Sequence, residues 1–202
     1  MGGLFRIDGP VYKFGSVLAD IFMVSLLWII FSIPLITIGT STTAAYYVFT
    51  KRVEGKDSYI IKGFVKSYRE NLRQTIIAFL ILVAGGSVVW LNFQLLDEVG
   101  LGSFILFVQL ALTVVAVQLT FITMFIFPIL ARFEMTLLGA FKASFQMANK
   151  HLFFSISNVI LAVAILFVTE IIPFLIIFIM GIYLYLSSFG FVRVFKKNKP
   201  DF

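Results

Sequence analysis

The chain is built of long apolar runs that are neither alternating nor interrupted by charge. Five of them read as helices crossing a bilayer: 16–38, 74–96, 101–131, 152–168 and 173–192. A helix rises about 1.5 Å per residue against a hydrocarbon core of about 30 Å, so roughly 20 apolar residues make one crossing. Backbone amides left unpaired in lipid are too costly, which leaves the α-helix as the form such runs take. The third run is longer than one crossing needs and is expected to tilt or to project into the cytoplasm. No stretch shows the period-two alternation of an outer-membrane barrel strand. The pattern predicts an all-α membrane protein with a single transmembrane domain, 1–202, folded as a bundle of about five helices. Between runs, 42–73 and 132–151 are basic and only moderately apolar, and predict short interfacial amphipathic helices on the cytoplasmic side.

Composition agrees with this reading. The chain is 60% hydrophobic and 13% charged, too few charges to cover a water-soluble surface of this size. There is no cysteine, which excludes disulfides and thiolate metal sites.

Charge adds orientation. Seven basic side chains lie between the first two runs, Arg132, Lys142 and Lys150 between the third and fourth, and Arg193, Lys196, Lys197 and Lys199 after the fifth. The remaining two connections hold Asp97 with Glu98, and Glu170, with no cation. The positive-inside rule puts the three basic segments in the cytoplasm. The carboxy terminus is then inside a bacterial cytoplasmic membrane and, after five spans, the amino terminus is outside. The net charge of +6 is thus a topology signal that meets anionic lipid headgroups, and no nucleic-acid partner is expected.

The candidate chemistry lies in three places. The stretch IPLITIGTSTTAAYY, 33–47, carries no charge but a proline, a glycine and five hydroxyl side chains before its tyrosines. Pro34 loosens the first span, Gly39 permits a turn with positive φ, and Thr40, Ser41, Thr42 and Thr43 can cap an interfacial helix starting near Ala44. With Thr37 and Tyr47, this helix start is the leading candidate site, where free amides could hold an anion or a sugar hydroxyl. In 63–73, Phe64, Tyr68 and Leu72 recur every four residues and can lie on the membrane. Lys66, Arg69 and Arg73 then face headgroups or a partner protein, and Lys66, Asn71 and Arg73 join the candidates. In the third run, Gln109, Thr113 and Thr120 share a helix face with Gln118 beside it, which suits interhelical hydrogen bonds or a polar path. Asp20, Asp97, Glu98 and Glu170 are all expected on the outer side.

Enzyme signatures are missing from the sequence. Its one histidine, His151, rules out a HExxH site, and there is no GxSxG motif. No cofactor, metal or catalytic residue is expected.

Two cytoplasmic segments also resemble each other. FSIPLI and GFVKSYRENLRQ in one match FIFPIL and GAFKASFQMANK in the other, with about 20 residues inserted in the first copy. A parallel repeat and two helices obeying the same juxtamembrane physics explain this equally well.

PLITIGTSTTAAYYV followed by GFVKSYRENLRQ resembles the YesL-like family of bacterial integral membrane proteins, over essentially the whole chain. That family has no established activity, but its members are often encoded beside carbohydrate uptake and polysaccharide breakdown systems. The resemblance therefore implies a non-enzymatic protein, accessory or regulatory to carbohydrate uptake, that acts on a sugar-uptake or sensing membrane protein. The alternative is a small transporter or channel for a sugar or cation, monomeric or oligomeric.

Overall fold

The computed structural model describes residues 10–56, 59–98, 103–172 and 177–197, and within them every regular element is a helix. The helices are α1 (Pro10–Phe31), α2 (Ile38–Val53), α3 (Ile60–Glu98), α4 (Ser103–Arg132), α5 (Leu137–Lys150), α6 (Leu152–Ile171) and α7 (Ile179–Lys197). Five of these, α1, α3, α4, α6 and α7, are long and apolar enough to cross a membrane. The expected span starts at Leu101 and Pro173, Lys199, and the side chains of Asp97 and Glu98 lie outside the described residues.

The first expected span does not run through 38. Pro34 has no N–H to donate and disfavours helix at Ile33, so α1 stops at Phe31. A single 3-10 turn, Leu35–Thr37, follows before α2. Thr37 Oγ1 lies 2.7 Å from Phe31 O and 2.6 Å from Pro34 O, satisfying carbonyls that the break has freed. The chain then doubles back. Trp28 Nε1 donates to Thr42 Oγ1 at 3.1 Å, and further along Arg52 Nε meets Asp20 at 2.8 Å while its Nη2 donates to Ser16. Asp20 is thus paired with a cation of the basic segment.

The second correction concerns α2. It starts at Ile38 rather than near Ala44, and its apolar face packs inside the bundle. Its hydroxyls cap nothing, since they lie within the helix. Thr40 pairs with Thr75 of α3 at 2.7 Å, and Thr42 donates to Ile38 O. α2 is the hub of the bundle, packed by α1, α3, α4 and α7. Tyr46, Val48 and Phe49 are buried along with Ala44 and Ala45. Gly39 does not take positive φ; Gly55 alone does, among the described residues. Gly39 is glycine because a Cβ there would lie 2.6 Å from the Phe127 ring and 3.2 Å from Phe79 Cβ.

The centre of the bundle is aromatic. Phe191 of α7 contacts Tyr46, Phe125 and Phe154 edge-on, with centroids 5.4, 5.2 and 5.0 Å away, and so joins α2, α4 and α6 to α7. Such edge-to-face pairs add about 0.5–1.5 kcal/mol each beyond area burial.

α3 is one 39-residue helix, so 63–73 is its first half and not a separate amphipathic helix. Phe64 and Tyr68 do not lie on the membrane. Phe64 is fully buried, and Phe31 of α1 packs on both rings. The segment 132–151 does hold a short helix, α5, started by Thr136, whose hydroxyl accepts from Gly139 N–H at 3.2 Å. In the two resembling segments the prolines act differently: Pro34 breaks the chain, whereas Pro128 sits inside α4.

Candidate functional site

α2 ends in a sequence that fixes its geometry. Gly55 adopts φ +71°, Gly55 N–H donates to Arg52 O, and Lys56 N–H donates to Lys51 O. This is the paired closure that satisfies the last carbonyls of a helix and needs a residue tolerant of left-handed backbone. It aims Glu54 back into the bundle, where its side chain is only 7% exposed. Arg132, at the end of α4, meets one Glu54 oxygen at 2.6 Å, and Lys56 meets the other at 2.7 Å. Burial acts to raise the Glu54 pKa. The hydrogen bonds from Lys56 and Arg132, with their charges, outweigh it and hold the carboxyl below its ordinary value. Arg132 also lies over the Phe195 ring, 5.8 Å from its centroid, which ties in the end of α7.

Around this ion cluster the ends of α2 and α4 and the first half of α3 leave a polar cleft. One lobe, of about 250 Å³, lies between Thr50, Lys51, Glu54 and Lys56. The larger lobe, of about 490 Å³, is bounded by Lys66, Glu70, Asn71 and Gln74 of α3 and by Phe133 and Glu134 after α4. Tyr47 and Arg132 line both lobes, so the two are one site. Each wall has a cause. Gln74 Nε2 donates to Met135 O at 2.8 Å and holds the 133–136 connection against α3. Lys51 Nζ donates to Tyr47 Oη at 2.6 Å and lies over its ring, orienting the phenol. Asn71 Nδ2 donates to Ser67 O, so its amide position is fixed. The cleft therefore offers a phenol, an amide and charges of both signs. That set suits a small ligand with several hydrogen-bonding groups.

Of the residues singled out by sequence, Tyr47, Lys66 and Asn71 meet here. The rest do not. Thr37, Gly39, Thr40, Ser41 and Thr43 are buried in the bundle, Pro34 lies exposed in the break, and Arg73 is exposed beside the cleft without lining it. The start of α2 is closed by Phe79 and Phe127 around Gly39, so no open array of amides forms there. Thr113 and Thr120 of the α4 stripe are exposed, and their hydroxyls return to Gln109 O and Ala116 O of their own helix, while Thr120 also lines a groove between α3 and α4. Gln109 is half-buried, and no residue of 105–120 is fully buried. Gln118 points inward, as its offset from the stripe required, and no protein group bonds its buried Nε2. Sequence reasoning missed Glu54, Glu70, Gln74, Arg132 and Glu134. A signal was present at Glu54, a carboxylate amid seven cations and directly before a glycine.

Residues 21–93 match the profile of the family described as "Protein of unknown function, DUF624", just over a third of the chain. No curated protein and no solved structure matches the chain. The matched stretch takes in half of α1, all of α2 and most of α3, and with them Tyr47, Lys66 and Asn71. Arg132 and Glu134, which close the cleft from the other side, lie beyond it.

Proposed function

We propose that this multi-pass membrane protein is a non-enzymatic accessory or regulator of carbohydrate uptake or use, and that the polar cleft is its ligand site. The observation that carries the reading is the convergence of Tyr47, Asn71, Glu70 and Glu134 around a charge-paired Arg132. Amide, carboxylate and guanidinium groups can each engage neighbouring hydroxyls of a sugar, and the Tyr47 ring offers a face for its apolar C–H side. The YesL-like resemblance, whose segments fall in the stretch matching DUF624, adds the sugar context. The exposed basic side chains Lys62, Lys66, Arg69 and Arg73 on α3 provide a surface for anionic headgroups and for a sugar-uptake or sensing partner.

On the positive-inside rule the cleft faces the cytoplasm. Phe22 of α1 packs on Phe178, at the end of α7 away from its basic terminus, while Phe31 packs on Phe64 and Tyr68 of α3, so we read the carboxy terminus as cytoplasmic and the amino terminus as outside.

The test is a binding titration of the purified protein in nanodiscs against a panel of mono- and disaccharides, paired with gene deletion. One sugar should bind, and Asn71→Leu and Glu134→Gln should each weaken it by about tenfold, the loss of one to two hydrogen bonds. Sugar uptake and its induction unchanged in the deletion strain would sink the proposal.

A further inference from the structure

The two lobes of the cleft differ in charge. The smaller one sets the cations Lys51, Lys56 and Arg132 against the single carboxylate of Glu54, a surplus of two positive charges. The larger one sets Lys66 and Arg132 against Glu70 and Glu134, which balance. A topology signal requires cations near the span ends but does not require them to be held in place. These three are held. Lys51 Nζ bonds Tyr47 Oη at 2.6 Å and lies 4.2 Å from the centre of its ring, while Lys56 and Arg132 are anchored one to each oxygen of Glu54.

The anchors use few of the donors available. An ammonium and a guanidinium each carry several N–H groups, so all three cations keep donors that no protein acceptor takes, among the described residues. Glu54 does not oppose an incoming anion, because both of its oxygens already accept from cations and its side chain is only 7% exposed. Thr50 adds no donor, since its hydroxyl returns to Tyr46 O at 2.6 Å. Tyr47 Oη accepts from Lys51, which leaves its own O–H to donate, and the residue stands where the lobes meet. The group that completes the smaller lobe therefore carries close to two negative charges and several acceptor oxygens. A phosphate monoester has both, with a charge of about −1.5 to −2 at pH 7 and oxygens that take charge-assisted hydrogen bonds. A sugar carboxylate brings one charge only. The balanced larger lobe, with Asn71 and Glu134, suits uncharged hydroxyls.

We propose that the ligand of the cleft is a sugar phosphate, its phosphoryl group held by Lys51, Lys56 and Arg132 and its hydroxyls in the larger lobe, an assignment that rests on the cleft being a sugar site and names its class of sugar. With the cleft on the cytoplasmic side, such a ligand reports that sugar inside the cell has been phosphorylated, since an ionised ester does not cross the bilayer unaided. A phosphoryl-transfer reaction must supply it.

The full-length protein in phosphatidylcholine nanodiscs, whose headgroups carry no net charge to compete, is titrated with hexose 6-phosphates, their parent hexoses, glucuronate and inorganic phosphate. One hexose phosphate should bind about a hundredfold more tightly than its parent hexose and than inorganic phosphate, the gain of one or two charge-assisted contacts. Lys51→Gln, which still offers Tyr47 a donor, and Lys56→Gln should each cut that preference about tenfold. Lys150→Gln, exposed at the end of α5 and outside the cleft, should leave it intact. A parent hexose or glucuronate that binds as tightly as the hexose phosphate overturns the assignment and leaves the sugar site standing. Inorganic phosphate binding as tightly overturns it as well, because the larger lobe then contributes nothing. A preference that survives both lysine substitutions also overturns it. If neither sugars nor sugar phosphates bind, the sugar site itself falls, and the assignment with it.

Discussion

At the scale of single residues, Glu54 shows how one carboxylate organises several helix ends. Two cations bond its two oxygens, and Arg132 links it onward to α7. Replacing it with Gln leaves Arg132 without its charge partner and should cost about 1.5–3 kcal/mol, seen as a lower thermal midpoint in detergent. Its pH dependence has a definite sign. The folded pKa lies below the ordinary value of 4.5, so the stabilisation is complete above pH 4.5 and is lost as pH falls through the folded value. Acid unfolding of Glu54→Gln should therefore be shallower than that of the parent below that pH. A second residue-scale expectation concerns Gly39, whose sequence context suggests a turn and which the fold uses for close packing. Gly39→Ala forces a methyl into the Phe127 ring and should destabilise by about 1–3 kcal/mol, with no relief from a residue that tolerates positive φ.

At the scale of elements, the polar gap between α1 and α2 is the decisive feature. The sequence shows that something must break near Pro34, since a missing N–H and a restricted preceding residue are local facts. It does not show where the chain goes next. Hydroxyl-rich segments suit an interface, a helix cap and a buried helix equally well, because each satisfies the hydroxyls in a different way. In this fold Thr37 and Thr42 return to backbone carbonyls and Thr40 pairs with Thr75, while the hydroxyls of Ser41 and Thr43 are buried without a protein partner. That frees α2 to be buried on every side. Its end depends on Gly55, so Gly55→Ala should cost about 1 kcal/mol while Gly55→Asn is better tolerated, and the larger loss should come with weaker ligand binding in the cleft. The same contrast holds in α4. Its stripe of Gln109, Thr113 and Thr120 was legible as a face, but which way that face points depends on where the neighbouring helices pack.

At the scale of the whole molecule, the proposed sidedness of the chain has a direct test. Five spans in sequence separate the two termini, and the packing of Phe22 on Phe178 and of Phe31 on Phe64 supports that order. The chain has no cysteine, so single-cysteine labelling is clean. Lys196→Cys should resist an impermeant maleimide in intact cells, and Tyr12→Cys and Glu170→Cys should react. Resistance of Tyr12→Cys would place the amino terminus in the cytoplasm instead.

The sequence by itself determined the solvent of this protein, its all-helical class, its apolar helices and the basic end of the bundle. These follow from local composition and periodicity, and no distant partner is needed to read them. It also marked Tyr47, Lys66 and Asn71, which the fold brings together. Only the tertiary structure decided that α2 lies at the centre, that Asp20 belongs with Arg52, and that Arg132 and Glu134 complete the cleft. Those facts depend on contacts between residues 32 to 141 positions apart, and a helical pattern records which face is apolar but not which helix covers it.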